Sequence, residues 1–232
     1  MKINRIKAIF KKQLKDTLKN KRVLIQFIVF PIFTLLIIFS ISSDSDTSES
    51  IVSMMAVMFT GMIPASAMAS IIAEEKEKNT LRVLMMSNVK PMEYFAGLAE
   101  YVFLLCMANY LFFAFIGGFN GAKLIYLMAV LIAGSIASML LGSTLGIFTS
   151  NQMSLMGIMT PIVILLAYLP VFATINTSLQ IVSRILYTQQ MYDLLFDLSK
   201  SNFSWDKFAI IGVNIAVLLS IFIFVYKKKS LE

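Results

Sequence analysis

The chain has 232 residues, of which 58% are hydrophobic and 14% charged, with 19 Phe, 16 Met and a formal net charge of +7. Soluble domains carry roughly 45–50% apolar and about 25% charged residues, so the composition excludes a soluble globule and indicates a polytopic α-helical membrane protein. The single cysteine, Cys106, leaves no disulfide framework or thiolate metal site, and the absence of histidine removes Ser-His-Asp triads, HExxH zinc sites and histidine pH switches.

Residues 1–22 precede the first apolar run. Ile3, Ile6, Phe10, Leu14 and Leu18 recur at helical spacing, and Lys7, Lys11, Lys15 and Lys19 form an opposing stripe. The pattern predicts an N-terminal amphipathic interfacial helix, its apolar side in the lipid boundary and its lysines toward anionic headgroups. Such a helix serves either as a topology signal and anchor or as a transmitter of motion. A cleavable signal peptide is not expected, because the apolar run opens only near Val23 and is too long for an h-region.

Residues 23–230 predict a six-helix transmembrane domain. Its spans run about Val23–Ile41, Ile51–Ala73, Tyr94–Gly117, Leu124–Phe148, Met153–Ile175 and Phe208–Tyr226. Each reaches the ~18–20 apolar residues that cross a hydrocarbon core, and continuous rather than alternating runs exclude a barrel. Lys2, Arg5, Lys7, Lys11, Lys12, Lys15, Lys19, Lys21 and Arg22 precede the first span. Lys76, Lys78, Arg82 and Lys90 join the second to the third, and Lys227, Lys228 and Lys229 end the chain. The other side has Lys123, Arg184, Lys200 and Lys207, with an acidic first loop, SSDSDTSES, that holds Asp44, Asp46 and Glu49. By the positive-inside rule both termini and the second-to-third connection face the cytoplasm. The net charge is then topological and implies no nucleic-acid partner. Leu231 and Glu232 match a common cloning junction.

Small residues repeat at i+4 in two spans, as Gly61, Ala65, Ala69 and Ala73 in the second and Gly134, Ser138, Gly142 and Gly146 in the fourth. Such stripes let backbones approach where lipid gives no hydrophobic push, so they predict tight seams within one chain or between two. Pro31 and Pro64 also fall within spans. Pro161 and Pro170 flank IVILLAYL and predict a fifth span in two pieces, as a kink or as a hinge or outer gate. Residues 176–207 are long for a simple loop. They hold two short amphipathic patterns, Leu179, Ile181, Val182, Ile185 and Leu186, then Met191, Leu194, Leu195 and Leu198. A re-entrant or interfacial helix pair capping the outer mouth is predicted there.

No GxxxxGK[ST] phosphate loop occurs, and no carboxylate pair lies mid-membrane. Glu100, less than two turns into the third span, is the only acid within a span and is expected to snorkel or to pair with cytoplasmic lysines. The segment EEKEKNTLRVLMMSNVKPME, residues 74–93, is therefore the most unusual stretch. Glu74, Glu75 and Glu77 suit a first helical turn. Leu81, Leu84 and Met85 then share one face, next to Val83 and Met86, until Ser87-Asn88 breaks the pattern and Pro91 prevents continuation. The prediction is a short cytoplasmic helix, about residues 74–90, with an exposed apolar knob. Such a knob marks a partner, or else the helix lies on the headgroups.

The order Glu74, Glu75, Thr80, Leu81, Leu84, Met85, Ser87, Val89, Glu93 and Gly97 resembles the cytoplasmic signature of type-2 ABC transporter permeases. Asn79 replaces the family's usual glycine before Thr-Leu, and Leu98 replaces a common lysine. The basic N-terminal helix, six spans and re-entrant element resemble the family's plan, as does the stretch around Leu179-Gln180-Ile181 and Met191-Tyr192-Asp193, less a proline before the tyrosine. This resemblance implies a permease without catalytic residues, metal or cofactor of its own, in a bacterial cell membrane. It implies a second permease copy, identical or paralogous, and two ABC ATP-binding subunits that hold ATP and Mg. Glu74, Glu75, Thr80, Leu81, Arg82, Leu84, Met85 and Ser87 would form the coupling helix that docks on the ATPase, while Gly61, Ala65, Ala69, Gly134, Ser138, Gly142 and Gly146 would pack helices or the dimer. Small permeases that this chain resembles export drugs, antimicrobial peptides or amphipathic peptides. Its Lys/Ile/Asn/Phe-rich wording resembles low-GC Gram-positive proteins, among which exporters of phenol-soluble-modulin-like peptides are one kind. Met54, Met58 and Met62, with Pro161 and Pro170, are the candidate substrate path, since flexible methionines suit apolar recognition as well as simple core or lipid contact. An ATP-independent sensor or immunity protein, and an ion-coupled secondary transporter, are the other readings of the same spans.

Overall fold

The computed structural model describes residues 3–19, 21–41, 45–87, 89–198 and 204–228. They form ten α-helices: α1 (Ile3–Lys19), α2 (Lys21–Ile41), α3 (Ser45–Glu77), α4 (Thr80–Met86), α5 (Pro91–Ile116), α6 (Ala122–Phe148), α7 (Gln152–Ala173), α8 (Thr177–Ser183), α9 (Tyr187–Leu198) and α10 (Trp205–Lys228). Six of these, α2, α3, α5, α6, α7 and α10, are long and apolar enough to cross a membrane. The fold is an all-α polytopic bundle. Lys2, Asp44, Asn88, Lys200, Lys229 and residues 230–232 lie outside the described residues, as do the side chains of Ile3, Leu18, Lys19, Lys21, Arg22, Asp46 and Leu198.

Helix α3 is the centre of the bundle. Its apolar window is 83% buried, against 11–44% for the other five spans. The small-residue stripes explain this. A Cβ on Gly142 of α6 would collide with the Ala65 carbonyl of α3, and one on Gly146 would stand 2.9 Å from Ile72 Cβ. Ser138 of α6 adds a hydrogen bond, its hydroxyl donating to the Thr60 carbonyl at 2.6 Å. The alanines of α3 turn elsewhere, with Ala65, Ala69 and Ala73 packed on Leu155, Met159 and Val163 of α7. The seams foreseen from the stripes therefore form within one chain, where Gly61, Ala65, Ala69, Gly134, Ser138, Gly142 and Gly146 are all buried. A third face of α3 carries Phe59, which meets Phe27 and Phe30 of α2 and Tyr110 and Phe113 of α5 edge-on at 5.5–5.9 Å.

The α8–α9 pair enters the bundle. Gly61, the middle residue of α3, is met by Thr188, whose methyl would lie 3.0 Å from an added Cβ. Met191 fills the place of a Cβ on Gly134, and Tyr187 bonds Ser138 through their hydroxyls at 2.7 Å. The turn between the two helices is tied to α10, where the Asn214 amide donates to the Ile185 carbonyl at 2.9 Å. This is the re-entrant form of the predicted pair, with Arg184 exposed at the turn.

Two expectations change. Pro161 and Pro170 both lie inside an uninterrupted α7, so the fifth span is one helix. A proline removes one backbone bond, and in hydrocarbon the remaining backbone groups have no partner better than the helix itself. The acidic loop is also shorter than foreseen, because α3 begins at Ser45 and places Asp46 and Glu49 near its positive end. Glu49 is held there by Lys123 at 2.8 Å.

Gly142→Leu should force α3 and α6 apart and cost about 1–3 kcal/mol or more as overpacking. Thermal unfolding in detergent checks this against Gly157→Ala, where an added Cβ meets nothing within 4 Å and the melting temperature should hold.

Candidate functional site

At one end of the bundle α3 stops, the chain reverses through α4, and α1 lies alongside. The acidic cluster does not open the short helix, as its charge pattern suggested; Glu74, Glu75 and Glu77 form the last turn of α3. Acids are unfavourable at that negative end of a helix dipole, and Glu74, Glu75 and Glu77 each offset this through a different partner, while Lys76 suits the dipole and binds elsewhere. Glu74 pairs with Lys78 at 2.5 Å. Glu75 is buried and accepts from Lys12 and, at 2.6 Å, from the Gln13 amide of α1. Lys76 crosses to the far end of α6, donating to the Ile147 carbonyl at 2.7 Å and to that of Thr149. Glu77 accepts the Gln152 backbone N–H at 3.0 Å, at the positive start of α7. Four successive residues thus fix α3 against its own last turn, α1, α6 and α7.

Helix α1 is clamped further on α5. Glu93 is buried, accepts from Arg5 at 3.3 Å and caps its own helix through the Lys90 N–H at 3.2 Å. Gly97 lets the α1 backbone touch α5, since a Cβ there would lie 2.9 Å from both the Ile6 carbonyl and Ile9 Cβ. The buried residues of α1 are consequently Ile9 and Gln13, with Ile6 and Phe10 half-buried and Leu14 exposed. Phe10 of the stripe Ile6–Phe10–Leu14 also turns to α5, meeting Tyr101 edge-on with ring centroids 6.2 Å apart, while Leu14 is exposed. What the periodicity missed is that a second face, Arg5, Ile9, Lys12 and Gln13, docks as well. A glutamine and two cations do not register as an apolar stripe.

Helix α4 spans only Thr80–Met86, not residues 74–90. Asn79 precedes it at φ 56° and ψ 12°, the one left-handed non-glycine residue among those described. Glycine and asparagine are the residues that tolerate this conformation, which is why Asn79 can stand where the resembled family has glycine. The Thr80 hydroxyl donates to the Glu75 carbonyl at 3.1 Å, and Ser87 closes the helix by donating to the Leu84 carbonyl at 2.7 Å. The exposed face differs from the predicted one. Leu81 is only 4% exposed, and Leu84 and Met85 pack on the core. Val83 at 64% and Met86 at 80% exposure, with Arg82 and Ser87, face outward. Both faces of TLRVLMM are apolar, so spacing alone could not say which is turned in.

The remaining candidates lie elsewhere. Met58 is buried with Met55 against Ala167 of α7, and Met54 and Met62 flank them. Pro161 is exposed and Pro170 buried. Glu100 does not reach the lysines of this end: it makes no hydrogen bond or ion pair among the described residues, and Lys12 is engaged by Glu75.

The family model for ABC-2 type transporter matches residues 4–203, a stretch that runs from α1 through α9. The chain belongs to that family and is a permease subunit of an ABC transporter, a membrane transport component. Permeases of this family work with ATP-binding subunits. No curated protein matches the chain, and no solved structure does.

Lys12→Met should leave Glu75 without its charged partner and cost about 1–2 kcal/mol, discounted for the partial exposure of Lys12. Hydrogen exchange across α1 should rise, and adding Glu75→Gln should recover part of the loss, as a double-mutant cycle reads.

Proposed function

We propose that this chain is the membrane half of a bacterial ATP-driven exporter built from two permeases and two ATP-binding subunits. Helix α4 seats on the ATP-binding subunit and passes its movement into α3 and α5. The observation that carries this reading is the exposed edge made by Val83 and Met86, on a short helix tied at both ends to spans. An apolar edge facing water needs a partner. The lysines and arginines cluster at the α1–α4 end, so that end and both termini face the cytoplasm by the positive-inside rule.

The substrate is amphipathic or hydrophobic, a peptide or a drug. The spans offer apolar lining, and the outer end holds a cleft of about 160 Å³ lined by Met54, Tyr192 and Phe196 among others. Adaptable Met and aromatic surfaces accept varied apolar cargo. Glu75 acts indirectly, since it is spent on α1; Arg82, Val83, Met86 and Ser87 make the contact.

Co-purification with a co-expressed ABC ATP-binding subunit tests the docking. A Val83→Glu/Met86→Glu double variant puts charges into a dry groove and should weaken association by about 3 kcal/mol or more, over a hundredfold, with the bundle intact. Leu84→Glu should instead lower thermal stability, because Leu84 faces the core. A complex that survives the double variant would count against docking through this edge.

A further inference from the structure

We propose that the cleft between α5, α6 and α10 holds an anionic phospholipid of the cytoplasmic leaflet, with an acyl chain in the cleft and its phosphate among Lys90, Lys227 and Lys228. Helices α5 and α10 meet through aromatic rings, with Phe95 centred 5.1 Å from Phe222 and 6.3 Å from Tyr226. Beside these rings the helices part, and the gap has a volume of about 490 Å³. Ala96 and Phe103 of α5, Ile136 and Leu140 of α6, and Leu219 of α10 are among the residues that line it. On its walls Met92, Ile136 and Leu219 are 41–54% exposed. They lie on spans, so the hydrocarbon of the membrane is what covers them.

The charges at the mouth decide which lipid. Lys90 lies two residues before Met92, and Lys227 and Lys228 follow Tyr226 directly. All three lysines are exposed, and none is paired with an acid among the described residues. The acid nearest to Lys90 in sequence, Glu93, is buried and held by Arg5. Glu100 stands exposed at the open rim. It is ten residues beyond Lys90, roughly 15 Å along the helix axis. The mouth therefore keeps its positive charge.

Each other occupant leaves something unmet. A soluble phosphate would satisfy the lysines and leave the apolar walls bare. A zwitterionic lipid would fill the walls, but its own amine or choline offsets its phosphate. An anionic phospholipid matches both features, and basic clusters at the cytoplasmic end of a span attract such headgroups. The site rests on the cytoplasmic placement of this end proposed above, which follows the positive-inside rule. It does not rest on the docking of an ATP-binding subunit.

The test uses the full chain in phosphatidylcholine nanodiscs that contain a phosphatidylglycerol with a photoreactive group in its acyl chain. Adducts mapped by mass spectrometry are expected on the walls of the cleft, at residues 96–103, 136–140 and 219. Unlabelled phosphatidylglycerol should compete about tenfold better than phosphatidylcholine of the same chains, and inorganic phosphate should not compete. A Lys90→Gln/Lys227→Gln/Lys228→Gln variant should lose that preference while keeping adducts in the cleft, and Glu100→Gln should keep both. Leu219→Trp, which fills the cleft from α10, should lose the adducts. Equal competition by the two lipids, an unchanged preference in the lysine variant, or adducts as dense on the outward faces of α2 and α7 would overturn the proposal. Competition by inorganic phosphate would also overturn it and mark the lysines as a site for free phosphate. Because no ATP-binding subunit is present, such a failure is separate from a failure of α4 docking.

Discussion

The close approach of the α3 and α6 backbones is the contact on which the bundle depends. Hydrocarbon gives helices no solvent-driven reason to associate, so their contact must come from dispersion and hydrogen bonds at short range. Gly142 against the Ala65 carbonyl and Ser138 against the Thr60 carbonyl supply both. With that side closed by backbone, α3 has its remaining faces free for the alanine contact with α7, the Phe59 aromatic contacts with α2 and α5, and the Gly61 contact with α9. A single helix therefore touches every layer. It cannot tilt without shifting α6, α7 and the re-entrant pair.

The end of that helix has an unusual economy of charge. Glu74 to Glu77 hold four different partners, and the left-handed Asn79 then sets the angle at which α4 leaves. On the other side of α4, Pro91 starts α5 and Glu93 caps it while gripping α1. A force applied at Val83 and Met86 thus enters two spans through short, hydrogen-bonded connections. Through α3 it reaches Gly61, Thr188 and the Ser138–Tyr187 bond, halfway along the bundle. Ser138 in this path bonds both the Thr60 carbonyl and Tyr187, which ties α3, α6 and α9 together where lipid would offer these groups nothing.

The spans were legible because hydropathy and length are imposed by the bilayer itself, whatever the packing. The seams were legible as well, since glycine at i+4 has few other uses in a membrane helix. The course of the polar residues was not. The acids of residues 74–77 read as a helix start because charge near a terminus is usually placed to suit the dipole; here tertiary ion pairs outweigh that local preference. The inward face of α4 was hidden by the apolar character of both its sides, and the docking face of α1 by its use of Gln13, Arg5 and Lys12 instead of aliphatic residues. In each case the deciding partner lies more than 20 residues away in sequence or on another helix, beyond what periodicity can register.

The most direct measurement is a site-directed cross-link from α4. Cys106, the only cysteine, is fully buried and can be replaced by serine to give a cysteine-free background. Single cysteines at positions 81, 83 and 86 would then be treated with a short bismaleimide in membranes that also contain the ATP-binding subunit. Cross-links to that subunit from positions 83 and 86, and none from 81, are expected if Val83 and Met86 form the docking edge. A cross-link from 81 would contradict that edge, and none from 83 and 86 would contradict it and return α4 to a helix resting on the headgroups.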